Sequence, residues 1–172
     1  MERPWLAHYP AGVPADVDVS AYASLLDLAE DSFRRYKTLP AYRFMGRVAT
    51  FGDVDAQSRA LAAWLQAQGV QRGDRVAIML PNVLQYPVAV AAVLRAGGVV
   101  VNVNPLYTPR ELEHQLKDSG AKAIILLENF ASVFQAVRST VPTKTVVLAA
   151  MGDLLGGLKG TVVNYVVRHV KH

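Results

Sequence analysis

Four short apolar runs limit what this chain can fold into. "DRVAIMLP", "VVVNV", "KAIILLE" and "KTVVLAA" are too short for core helices and too continuously apolar for strands with one wet face. Each is separated from the next by a segment whose apolar residues recur at helical spacing. Strands that alternate with helices form βαβ units, and βαβ units make a parallel sheet covered on both faces. The predicted fold class is therefore α/β, a doubly wound and mostly parallel sheet with helices on both faces. Its central strands are expected near residues 75–80, 99–103, 123–127 and 145–149.

Local signals place the helices. "SLLDLAEDSFRRY" reads as a first amphipathic helix, with Leu25, Leu28, Ala29 and Phe33 on one stripe. "AYRFMGRVATF" reads as a small amino-terminal hairpin about Met45-Gly46. In "TFGDVDAQSRALAAWLQAQGV", Thr50 and Asp53 pair as a capping box, Val54, Leu61, Ala62 and Leu65 share a face, and Gly69 stops the helix. Pro87 requires its helix to begin at about Tyr86, since proline is tolerated only in a first turn.

"NVNPLYTPRELEHQL" carries the densest local code. Thr108 is the N-cap, Pro109 the first helical residue, and Glu111 the reciprocal partner of the cap. Tyr107 and Leu112 are spaced as a hydrophobic staple across it. At the amino end, Pro4, Pro10 and Pro14 make residues 1–20 an extended arm. Residues 21–150 form the α/β unit. Residues 151–172 read as a linker and a basic amphipathic tail, with a helix from Thr161 whose stripe is Val162, Val163, Val166, Val167 and Val170. That helix is expected to lean on a surface outside this chain.

Composition removes several function classes. The chain of 172 residues is 52% hydrophobic and 19% charged, which suits one folded domain. It has no cysteine, so neither a disulfide nor a cysteine zinc site is available. Net charge is +4, but the basic residues are scattered rather than striped among aromatics, and nucleic acid is not an expected partner. No signal peptide is read at the start, and the longest apolar stretch is interrupted by Arg95 and a glycine pair before the ~18 residues a membrane span needs.

The inventory for chemistry is thin. His114 and Asp118 lie at helical spacing but make two ligands at most, so no metal residue is assigned. No "GxSxG" elbow is present. Gly97 and Gly98 follow a helix and precede a strand, the reverse of a dinucleotide fingerprint. "GGLKGT" at Gly156 to Thr161 imitates a phosphate loop without its order of residues. No catalytic residue is assigned.

Two blocks carry a resemblance. "ATFGDVDAQSRALAAWLQAQGVQRGDRVAIMLPN" and "AAVLRAGGVVVNVNPLYTPRELEHQLKDSGAKAII" together resemble the amino-terminal part of the adenylate-forming superfamily. With "MGDLLGGLKGTVVNYVVRHVKH", the chain is most similar to bacterial long-chain fatty acid–CoA ligases. The resemblance implies a ligase that uses ATP, Mg2+ and CoA to turn a fatty acid into an acyl-adenylate and then a thioester. It implies that the phosphate loop, ribose contact and catalytic lysine lie outside these residues, so that the piece alone is inactive and binds none of these cofactors. It further implies that Asn104, Pro105, Leu106 and Tyr107 border the CoA channel. The expected partners are the remainder of the same enzyme and its substrates, a second copy in a homodimer, and peripheral contact of a cytoplasmic protein with the inner membrane. A non-catalytic α/β binding or assembly module of the same ancestry fits the same residues.

Overall fold

A computed structural model describes residues 2–169. Its elements run α1 (Leu25–Arg35), β1 (Pro40–Phe44), β2 (Arg47–Thr50), α2 (Phe51–Ala67), β3 (Arg75–Met79), α3 (Gln85–Arg95), β4 (Val99–Asn102), α4 (Pro109–Ser119), β5 (Ala123–Leu127), α5 (Ala131–Val137), β6 (Thr145–Ala149) and α6 (Gly157–His169). The four predicted strands form one parallel sheet in the order β4-β3-β5-β6. β1 and β2 form the separate antiparallel hairpin. Its turn has positive φ at both Met45 (46°) and Gly46 (77°), the geometry whose twist matches flanking strands.

The double winding follows from side-chain alternation. On one face, Val76, Ile78, Ala123 and Ile125 pack with Leu65 of α2 and Ala92 and Val93 of α3. On the other, Ala77, Met79, Ile124 and Leu126 pack with Leu112 and Leu116 of α4 and Phe134 of α5. Strand side chains point alternately to opposite faces, so two cores require two apolar sets per strand, and "AIILL" supplies both. Each fully buried leucine contributes about 1.5–3 kcal/mol.

Charged side chains tie the outer helices down. The Arg95 side chain, 6% exposed, reaches Glu30 of α1 (2.9 Å) and Asp55 of α2 (2.5 Å). Its guanidinium also lies 4.9 Å from the Phe33 ring centre. On the other face of the sheet, Arg75 Nε and Nη2 donate to the carbonyls that end α4, Ser119 O (2.8 Å) and Gly120 O (3.2 Å). Lys122 pairs with Asp74 at 2.7 Å.

Four expectations are corrected. The arm is not wholly extended: Pro4–His8 is a 3-10 turn, and Arg3 pairs with Asp16 at 2.8 Å. In α1 only Phe33 of the expected stripe is fully buried, while Leu25 and Leu28 are exposed. The tail helix begins at Gly157, four residues before Thr161, and its Gly160 packs closely against Gly152. Its inner side docks on this same chain: Asn164 Oδ1 accepts from Gly152 N (2.6 Å), and Arg168 pairs with Glu128 (2.8 Å). The valine stripe is therefore split. Val163, Val166 and Val167 are half-buried, Val162 faces outward, and Val170 lies outside the described residues.

Candidate functional site

Ligands of open α/β sheets bind beyond the carboxyl ends of the strands. Here the ends of β3 and β4 open into a crevice of ≈ 310 Å³ lined by Ile78, Leu80, Asn82, Tyr86, Asn102 and Asn104, with Val103 at its floor. The Tyr86 hydroxyl donates to Asn102 Oδ1 at 3.0 Å, and Gln115 Nε2 donates to the Asn102 carbonyl at 2.9 Å. The crevice is thus neutral and rich in amide groups, suited to hydrogen bonding rather than to holding charge.

The turn Asn104–Tyr107 forms its outer rim. Asn104 Oδ1 accepts from Leu106 N at 3.0 Å, and Tyr107 N donates to Asn104 O at 3.1 Å. These bonds hold Leu106 out in solvent, 83% exposed. On its far side Tyr107 lines a second, wider hollow of ≈ 760 Å³ with Thr108, Arg110, Glu111, His114, Gln115 and Asp118. The turn is a ridge between two hollows, with Asn104 facing one and Tyr107 the other.

The cap of α4 fixes that ridge. Thr108 Oγ1 accepts from Glu111 N (3.4 Å), and the Glu111 carboxylate accepts from Thr108 N (2.8 Å). The Thr108 backbone N–H, then its hydroxyl, hold the Glu111 carboxyl below its usual range. Tyr107 and Leu112 both belong to the core beneath α4, as a staple requires.

His114 and Asp118 share the wide hollow, but among the described residues no cluster of three or more His, Asp or Glu could hold a metal. In the "GGLKGT" run, Gly160 is small because the Gly152 carbonyl abuts it, and the Thr161 hydroxyl donates to Gly157 O (3.2 Å) within the helix. Gly160 and Thr161 are thus engaged within the chain. Gly97, with φ 79°, ends α3.

The sequence points to Asn104–Tyr107 but not to Asn82, Tyr86 and Asn102, which line the crevice with Asn104. The signal was available: Asn82 and Asn102 follow or end predicted strands, where ligand contacts of α/β sheets concentrate.

Comparison with known proteins decides the family. The AMP-binding enzyme family matches residues 29–165. The chain belongs to that family. Within it, the chain is 54% identical over 99% of its length to a long-chain-fatty-acid–CoA ligase of Yersinia pestis, and 53% identical over the same share to that of Escherichia coli O6:H1. It spans about 31% of the length of either relative and corresponds to their amino-terminal part. Among solved structures, a long-chain-fatty-acid–CoA ligase from Archaeoglobus fulgidus superposes with a TM-score of 0.65 at 22% identity, over 83% of this chain and 29% of that one. That likeness shows the shared fold: this AMP-binding family member has the sheet and helix layers of an adenylate-forming enzyme.

Proposed function

We propose that this chain is the amino-terminal scaffold of a long-chain fatty acid–CoA ligase and is inactive by itself. The observation that carries the reading is 54% identity across nearly the whole chain to such a ligase. In the proposed reaction, ATP and Mg2+ convert the fatty acid to an acyl-adenylate with loss of pyrophosphate, and the CoA thiol then displaces AMP. The remainder of the enzyme supplies the phosphate contacts, and residues 21–150 supply the sheet on which it packs. In the same reading the enzyme is cytoplasmic, pairs as a homodimer and meets the inner membrane peripherally.

The ridge Asn104, Pro105, Leu106 and Tyr107 is proposed to border the path of CoA. The amide-rich crevice behind it supports this, because a chain of alternating amides and methylenes matches neutral hydrogen-bonding groups beside apolar ones. Calorimetry with Mg-ATP tests the central claim: the 172-residue chain should show no micromolar binding, while the longer polypeptide binds ATP and forms fatty acyl-CoA. Tight ATP binding by the short chain would refute it. For the ridge, Leu106→Asp in the longer polypeptide should raise KM for CoA and leave KM for ATP unchanged. Equal effects on both would remove the CoA assignment.

A further inference from the structure

The polarity of α6 is inverted. A helix on the surface of a domain turns its apolar stripe to the core and its polar residues to water. In α6 the side toward the domain is polar or bare. Gly160 lies against the Gly152 carbonyl, and Arg168 pairs with Glu128 at 2.8 Å. Asn164 Oδ1 accepts from Gly152 N (2.6 Å), and its Nδ2 donates to Asp153 Oδ1 (3.1 Å). The side facing away carries Leu158 (82% exposed), Val162 (51%) and Tyr165 (63%). The His169 ring extends the line, 4.8 Å from the Tyr165 ring. The spacing i, i+4, i+7, i+11 puts all four on one side of the helix. Val163, Val166 and Val167 are half-buried. A helix with polar anchors inward and apolar residues elsewhere belongs between two packed layers, and only one of them is in this chain.

Charge and chain connectivity identify the second layer. From Gly157 to His169 the charged side chains are Lys159 and Arg168, with no acid. Both are turned to this chain: Lys159 Nζ donates to the Met45 carbonyl, and Arg168 holds Glu128. The outer line is therefore apolar surface without charge, which suits a protein core; an anionic bilayer would call for cations facing it. The chain matches 31% of the length of its ligase relatives, their amino-terminal part, so in such a polypeptide the rest follows α6. A segment tethered to the end of a helix meets that helix at an effective concentration on the order of millimolar, ahead of a second copy from solution. We infer that the polypeptide following His172 packs over Leu158, Val162 and Tyr165 and makes α6 an internal helix between two bodies of one enzyme. This rests on the reading of the chain as the amino-terminal part of a longer ligase but not on the ligase chemistry.

The chain has no cysteine, so Val162→Cys places a single thiol on the outer line. Its alkylation by N-ethylmaleimide is located by peptide mass, and each rate is divided by that of the same protein in urea. Alkylation should be about tenfold or more slower in the longer polypeptide than in the 172-residue chain, where the site meets water. Leu158→Glu with Tyr165→Glu gives an independent measure. The Tm of the longer polypeptide should fall by about 3 °C or more, because two carboxylates would enter an apolar contact. That of the 172-residue chain should move by no more than about 1 °C, since both side chains are already exposed there. Equal alkylation of the two polypeptides, or equal Tm shifts, would overturn the inference. So would alkylation of the 172-residue chain that slows as its own concentration rises, or that slows on phosphatidylglycerol vesicles, which would give the face to a second copy or to lipid. Neither readout needs activity, and acyl-CoA formation by the longer polypeptide reports on the ligase reading separately.

Discussion

Arg95 shows how one side chain can hold three elements. Its guanidinium joins Glu30 of α1, Asp55 and Ser58 of α2 and the Phe33 ring while its own backbone belongs to α3. Arg95→Ala removes the buried donor of the Ser58 hydroxyl and the Asp55 carbonyl, while Glu30 and Asp55 keep Arg59, and should cost about 2 kcal/mol in urea unfolding. Arg95→Lys should recover only part, because an ammonium cannot serve the same fork of acceptors. A smaller loss is expected for Thr108→Ala, about 1 kcal/mol, as the α4 cap disappears. Acid acts on the same class of contacts. The Lys122 ammonium, then the Gln71 N–H, hold the Asp74 carboxyl below its usual range; the backbone N–H of Thr50, then its hydroxyl, do so for Asp53. Groups with depressed folded-state pKa stabilise fully above the unfolded value and lose that contribution as pH falls through the folded one. Stability should therefore decline below about pH 4, and Asp74→Asn should flatten that limb. The caps were legible in sequence because their partners lie three residues apart. Arg95 was not: its carboxylate partners lie 65 and 40 residues away, and nothing local distinguishes it from a solvated arginine.

Among the elements, α6 differs most from what its sequence announces. A valine stripe predicts a single apolar face, yet the inner side is set by what fits against the loop after β6. There Gly160 meets Gly152, and Asn164 bridges to Gly152 N and Asp153. Gly160→Ala should push the helix off this loop. Hydrogen exchange should then accelerate across Gly157–His169 while β3 and β5 stay protected; uniform protection would mean the helix accommodates the methyl. The strands, by contrast, were legible to within a residue or so, because continuous Val, Ile and Leu runs leave one architecture open to them. The crevice was legible only at its rim. Asn82 lies in the loop after β3, Tyr86 in α3 and Asn102 at the end of β4, and the β3–β4 register brings Asn102 beside the other two.

Considered whole, the molecule is a four-stranded parallel sheet with no further strand on β4 or β6 among the described residues. Both edges are apolar in sequence, and Leu148 on β6 is 57% exposed. Open apolar edges recruit other chains. The chain should scatter light increasingly with concentration, and Leu148→Lys should suppress this while changing unfolding free energy by no more than about 0.5 kcal/mol. Strand order has a second consequence, which concerns synthesis. β3 is the centre of the sheet, but its neighbour β5 is made only after α3, β4 and α4 have been translated. At ordinary elongation rates those roughly fifty residues take about 2–10 s. Throughout that interval a nascent chain leaving the ribosome carries β3 with one side unpaired, a window in which a chaperone that grips apolar strands would find its target.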